Sequence, residues 1–185
     1  MEYLEQAEVK ALLNAALAYG NQEAHLCLTL MYATGTRVSQ ALALKGIDVI
    51  ADPSTSGHKI RIGAAKNGKT RSFRLLTSPS PAMDMSPLVA LAAARGTSAL
   101  FGGLTRHYLH RLIKRFAESA GLHTGMVSCH RVRHSTAMAV YLKTQRIGVV
   151  SAYLQHVDPS TAFVYVSESD SQLGDQAMSE VFAAA

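Results

Sequence analysis

The apolar residues of this chain leave helical spacing for one stretch and then return to it, and that pattern restricts what it can fold into. Val9, Leu12, Leu13, Ala16 and Leu17 recur at helical spacing, which predicts a helix over 4–19 with Gly20 as its stop. Leu26, Leu28, Leu30 and Met31 predict a second, more buried helix over 22–33, broken by Thr34 and Gly35. A short helix is expected over 37–44. Ile47, Val49 and Ile50 then suggest a strand, and 53–57 is a turn cluster. Residues 59–63 alternate charged and β-branched side chains, as an edge strand does. Asn67-Gly68 is a hairpin turn signal, and 70–75 is the return strand. A Ser- and Pro-rich stretch at 77–87 reads as a linker loop. Helical spacing resumes over 87–95, 105–120, 129–144, 147–155 and 171–184, with Ser128 as a candidate cap. The expected fold is mostly α with one small three-stranded antiparallel sheet.

A chain of 185 residues fits one domain and buries enough surface to need neither metal nor disulfide. Its two cysteines, Cys27 and Cys129, sit in apolar contexts, which excludes a disulfide scaffold and a four-cysteine zinc site. No basic stretch leads into an apolar core at the start, and no run is long enough to span a membrane. A reducing cytoplasm is the expected setting. No Gly-rich loop follows a strand, so nucleotide-binding folds are poor candidates.

Charge is sorted along the chain. Residues 58–133 hold 13 basic and two acidic residues, whereas the flanking stretches are each net negative. A basic middle between acidic ends fits a polyanion partner such as nucleic acid; the bland reading is a solvated face. The stretch 106–115, RHYLHRLIKR, is the candidate DNA-facing helix, with Arg106, Arg111, Lys114 and Arg115 as contacts. Lys69 and Arg71 of the hairpin are further candidates. Four cations on one helix cannot share one narrow stripe, so some are simply solvated.

A few positions could carry chemistry. Arg37 follows Thr34-Gly35-Thr36 at a helix start, beside backbone N–H groups that suit an anion. His130 and Arg133 are three apart on one helix, so an imidazole and a guanidinium share a face and can grip a phosphate and move a proton. His130 and His134 have a zinc-like spacing, but Arg131 and Arg133 repel a cation and no carboxylate completes the set. His107 and His110 read as ordinary helix-surface residues. Lys66, in the Lys-Asn-Gly-Lys turn, either reaches into a partner's groove or merely solubilises the tip. Tyr165 by itself reads as a packed tyrosine. It becomes a nucleophile only where a basic site stabilises the developing charge.

Taken together, ATGTRVSQALALKGIDV around Arg37, AAKNGKTRSFRL around Lys66, CHRVRHSTA around His130 and Arg133, and YLQHVDPSTAFVYV with His156 and Tyr165 resemble the catalytic domain of tyrosine recombinases, the phage integrase family. The motifs run in family order over residues 4–166. Gln40, Val132 and Gln155 stand where the family usually has an acidic residue, a leucine and a glycine.

The resemblance implies the DNA breaking-rejoining fold in a single catalytic domain over 1–185. It implies a C-terminal tail, 167–185, that docks on its own body or on a neighbour, and a core-binding domain absent from the front. It implies site-specific recombination of double-stranded DNA through a 3′-phosphotyrosyl intermediate, without metal or ATP, on paired sites in a tetrameric synapse. Tyr165 is then the nucleophile, Arg37 and Arg133 the phosphate clamp, and Lys66 the proton donor to the leaving 5′-oxygen. His130 is acid or base, and His156 a phosphate ligand. The rivals are relaxation of DNA by a type IB topoisomerase and DNA binding by a regulator without catalysis.

Overall fold

The computed structural model describes residues 3–63 and 70–154. Seven α-helices and a three-stranded sheet are present among them. Helix α1 (Gln6–Ala18) buries Val9, Leu12, Leu13 and Ala16, the i, i+3, i+4, i+7 stripe of the sequence. The Glu8 carboxylate closes its start by accepting the Glu5 N–H at 2.8 Å. Helix α2 (Gln22–Thr34) is capped by the Asn21 side chain and is buried at every position from Ala24 to Met31. It is the central helix, packed against α1 on one side and α6 on another.

The short helix α3 (Val38–Leu42) leads through a tight turn to the sheet. Strands β1 (Val49–Ala51), β2 (His58–Ile62) and β3 (Arg71–Arg74) form an antiparallel meander in that order. Ile60 stands opposite Val49 on one side and Phe73 on the other. Strand β2 is therefore central, which corrects the edge-strand expectation for 59–63. Alternating charge along a strand reports that one face is wet. It says nothing about which edges are paired, and here Ile60 and Ile62 enter the core while the opposite face stays open.

The second half follows as α4 (Pro87–Arg95), α5 (Arg106–Ser119), α6 (Cys129–Thr144) and α7 (Ile147–Leu154). Helix α5 buries Leu109, Leu112, Ile113, Phe116 and Ala117 along one stripe and rests it on α1. The Ser128 side chain caps α6 by accepting the Arg131 N–H at 3.2 Å. Helix α6 buries all seven residues from Val132 to Met138, so it runs through the core and supports α7 through Ala137, Met138, Tyr141, Val150 and Leu154. No helix among the described residues is long and apolar enough to cross a membrane. The helix expected over 171–184 lies outside the described residues.

The stretch expected as a linker loop, 77–87, is pinned to the body. Ala82 and Met85 are buried, and the Ala82 carbonyl accepts the Nε2–H of buried His25 at 2.9 Å and the Thr29 hydroxyl at 3.2 Å. Ser and Pro mark irregular backbone, but not whether that backbone is solvated. Burial holds the His25 imidazole below its ordinary value of 6.5. A depressed histidine is neutral in the fold, so the unfolded chain takes up the proton first as pH falls. Stability is accordingly full above the ordinary value and declines below it, towards the folded midpoint. The urea midpoint should be lower at about pH 5.5 than at about pH 7.5, and His25→Gln should shrink the difference. An identical slope in that variant would remove His25 as the source.

Candidate active site

The site begins with a turn that the sequence makes unavoidable. Gly35 ends α2 at φ +62°, the left-handed region that glycine enters without strain. Thr34 and Thr36 lock the turn from within: their hydroxyls lie 2.6 Å apart, and Thr34 also donates to the Leu30 carbonyl at 2.7 Å. Arg37 follows as the N-terminal flank of α3, half-buried, with its N–H donated to Gln40 Oε1 at 3.3 Å.

Helix α6 meets this turn from the other side. Thr136 donates to the Tyr32 carbonyl at 2.7 Å and so ties α6 to the end of α2. Arg133 is buried at 5% exposure. Its guanidinium donates to the carbonyls of Gly35 and Leu154, the latter at 2.7 Å. One side chain therefore bridges the α2–α3 turn, α6 and the end of α7. His130 lies one helical turn before Arg133 and is exposed. Partial desolvation of the ring, then the positive charges of Arg133 and Arg37, hold its imidazole below the ordinary histidine value.

Arg37, His130 and Arg133 line one cavity of about 410 Å³, which Arg106, His107 and His110 complete from α5. None of the described residues that line it is acidic. Three guanidiniums facing a common space with no carboxylate among them form an anion site, and the spread of donors suits the oxygens of a phosphodiester.

Residues 2–172 match the sequence profile of the phage integrase family. The chain belongs to that family. It is similar to the tyrosine recombinase XerD of Ralstonia nicotianae, 33% identical over 75% of this chain and 46% of the relative. It is also similar to XerD of Rickettsia conorii, 28% identical over 89% of this chain and 59% of the relative. The chain thus spans about half the length of these relatives. Its fold is that of the XerH site-specific recombinase bound to a palindromic difH substrate in a post-cleavage complex. That match has a TM-score of 0.75 at 24% identity, over 95% of this chain and 52% of that one. It also matches the catalytic domain of bacteriophage HP1 integrase, with a TM-score of 0.64 at 19% identity, over 90% and 88%.

The integrase motifs around Arg37 and around His130 and Arg133 thus meet in space. Lys66, Lys69, His156 and Tyr165 lie outside the described residues. Gln40, in the place of the family's usual acidic residue, is not idle: its Nε2 donates to the Gly63 carbonyl at 2.9 Å. It links the Arg37 turn to the end of β2, just before residues 64–69.

The cations expected to face DNA divide. Arg106 is exposed on the cavity rim, and Arg111 is exposed with its guanidinium 5.6 Å from the Tyr108 ring. Lys114 turns inward, where its ammonium donates to the carbonyls of Thr124 and Val127. Arg115 donates to the Tyr19 hydroxyl at 2.9 Å on the α1 side. Arg71 is half-buried, donates to the Tyr153 carbonyl and lies 4.5 Å from the Phe73 ring. Burial, with Arg37's charge adding to it, pulls Arg71 down to about 10. His107 and His110, read from the sequence as plain surface residues, are exposed but belong to the cavity. His110 lies three residues after His107 and four after Arg106, and that spacing was the available signal; only the position of α5 gives it meaning.

These placements separate two substitutions by measurement. Lys114→Met should lower stability by about 1–3 kcal/mol, since the loop before α6 loses its donor. It should leave the salt dependence of duplex binding unchanged. Arg106→Ala should leave stability nearly unchanged and reduce the slope of log affinity against log salt by about one. Titrations of a labelled duplex at several salt concentrations check both.

Proposed function

We propose that this chain carries the catalytic unit of a site-specific recombinase that cuts and rejoins double-stranded DNA. The observation that carries the reading is the convergence of Arg37, His130 and Arg133, from two distant stretches of chain, on one basic cavity with no carboxylate among its described lining residues. In this reading the two guanidiniums hold the non-bridging oxygens of the scissile phosphate, whose charge grows in the transition state. Tyr165 loses its phenolic proton to water as it attacks the phosphorus, and it displaces the 5′-oxygen to form a 3′-phosphotyrosyl bond. Lys66 protonates the leaving oxygen, and His156 hydrogen-bonds the phosphate. The roles of Lys66, His156 and Tyr165 rest on the family motifs they occupy.

The phosphotyrosine retains the energy of the broken bond. A partner strand's 5′-hydroxyl can therefore reverse the step with no ATP and no metal. Exchange between two duplexes requires paired sites, so the working assembly is a tetrameric synapse in the cytoplasm. The tail at 167–185 is the segment available to bridge neighbours. Arg106 and Arg111, exposed on α5, are the duplex contacts, and phosphate contacts of this kind set register.

A pool of nicked suicide duplexes with randomised arms tests the reading. Loss of the short fragment at the nick traps the covalent intermediate. A denaturation-resistant adduct is expected with the native chain and none with Tyr165→Phe. An adduct that survives in Tyr165→Phe overturns the nucleophile. Relaxation of supercoiled plasmid without any site preference would favour the topoisomerase class instead.

A further inference from the structure

Helix α6 carries a second histidine one turn beyond His130. His134 is buried at 7% exposure, and its Nε2 lies 2.7 Å from Nε2 of His130. The two rings stand at 88° to one another. A neutral imidazole has one N–H and one bare nitrogen, and an imidazolium has two N–H groups. Two Nε2 atoms at this separation therefore share a single hydrogen. With two they would clash, and with none their lone pairs would repel.

The partner in the cavity decides the direction. A phosphodiester offers acceptors only. With Nε2 engaged by His134, Nδ1 is the one polar atom His130 has left. It serves a phosphate oxygen only as Nδ1–H, which in a neutral ring leaves Nε2 bare. His134 must then be the donor. We propose that His134 is a positioning residue whose buried Nε2–H donates to His130 Nε2, locking His130 as the Nδ1–H tautomer that donates to the scissile phosphate.

The surroundings agree with a neutral His130. Arg133 faces it from its own helix, Arg37 from the turn before α3, and Arg106, His107 and His110 from α5. A proton on His130 Nε2 would add charge to that set and break the bond between the rings. His130 is then a phosphate donor and not the base that accepts the Tyr165 proton. The direction of the bond rests on the phosphodiester reading of the cavity; the shared hydrogen does not.

Nitrogen-15 NMR of histidine-labelled protein tests this without DNA, because bare and protonated ring nitrogens have well-separated shifts. In the native chain His130 should show a protonated Nδ1 and a bare Nε2. In His134→Leu it should revert to Nε2–H, the form histidine favours in water. In His134→Gln the amide donor should restore Nδ1–H. A native His130 with Nε2–H overturns the proposal even if the leucine variant does not fold, and so does Nδ1–H retained in a folded His134→Leu.

Trapping on the nicked duplexes then separates this inference from the recombinase reading. His134→Leu should slow adduct formation at least about tenfold, and His134→Gln should recover most of it. The expected tautomer in a chain that forms no adduct overturns the recombinase reading and, with it, the assigned phosphate role. Adduct formation with the wrong tautomer overturns only the His134 assignment.

Discussion

Arg133→Ala is expected to abolish most of the cleavage activity and to weaken the fold at the same time. Its guanidinium bridges the carbonyls of Gly35 and Leu154 in the interior. Each buried carbonyl left without a donor costs about 1–3 kcal/mol, so a total loss of about 2–6 kcal/mol should appear in urea unfolding. The chemical loss should be at least about 100-fold in single-turnover adduct formation, by analogy with removing one preorganised transition-state donor. The two effects separate at urea concentrations where the variant is still folded. Arg133→Lys should rescue neither well, because a single ammonium cannot reach two carbonyls as a planar fork does. A loss below tenfold in a folded Arg133→Ala would count against the phosphate clamp.

Gly46→Ala should produce the largest change in stability alone. Gly46 is buried where the chain enters the sheet, and it is joined to the end of α4. Its N–H donates to the Ser98 carbonyl at 3.2 Å, and the next N–H, of Ile47, donates to the Gly96 carbonyl at 2.8 Å. A Cβ here would lie 2.3 Å from the Ala92 carbonyl oxygen and 2.6 Å from the Gly96 nitrogen. Both obstacles are backbone, so no side-chain rotation relieves them. A loss of about 3 kcal/mol or more is expected from such overpacking. Gly63→Ala is the control: a Cβ there meets none of the described residues within 4 Å, and stability should change by no more than about 0.5 kcal/mol. A similar midpoint for the two variants would show that the end of α4 moves aside.

The helices were legible because each carries its own evidence. Helix α6 spans 129–144 as expected, since Ser128 offers a cap at one end and the apolar pattern continues to the other. The three strands were legible for the same reason, from alternation and turn residues. The central place of β2 was not, because pairing on both edges depends on which strands arrive beside it. The pinning of 77–87 at Ala82 depended in the same way on His25 and Thr29, more than fifty residues earlier, which no local pattern connects to Ala82.

The candidate site divides along the same line. Arg37 and the His130–Arg133 pair stood out from composition and spacing, because a guanidinium at a helix start and an imidazole beside a guanidinium have a chemistry of their own. Lys114 and Arg115 stood out equally, as basic residues on an amphipathic helix. Yet one turns to two carbonyls and the other to a tyrosine hydroxyl. His107 and His110 were passed over although they line the cavity. A side chain's charge is local information, but the object it faces is not.

By itself, then, the sequence determined the order and kind of the elements, the basic character of the middle of the chain, and the membership in the phage integrase family that its motifs signal. These depend on residues within a few positions of one another. Tertiary structure alone decided that Arg37 and Arg133 share a cavity, that Arg133 also holds the turn before Arg37, and that His134 stands behind His130 in the interior. Such facts depend on how α2, α5, α6 and α7 pack, and packing is settled by the fit of whole surfaces.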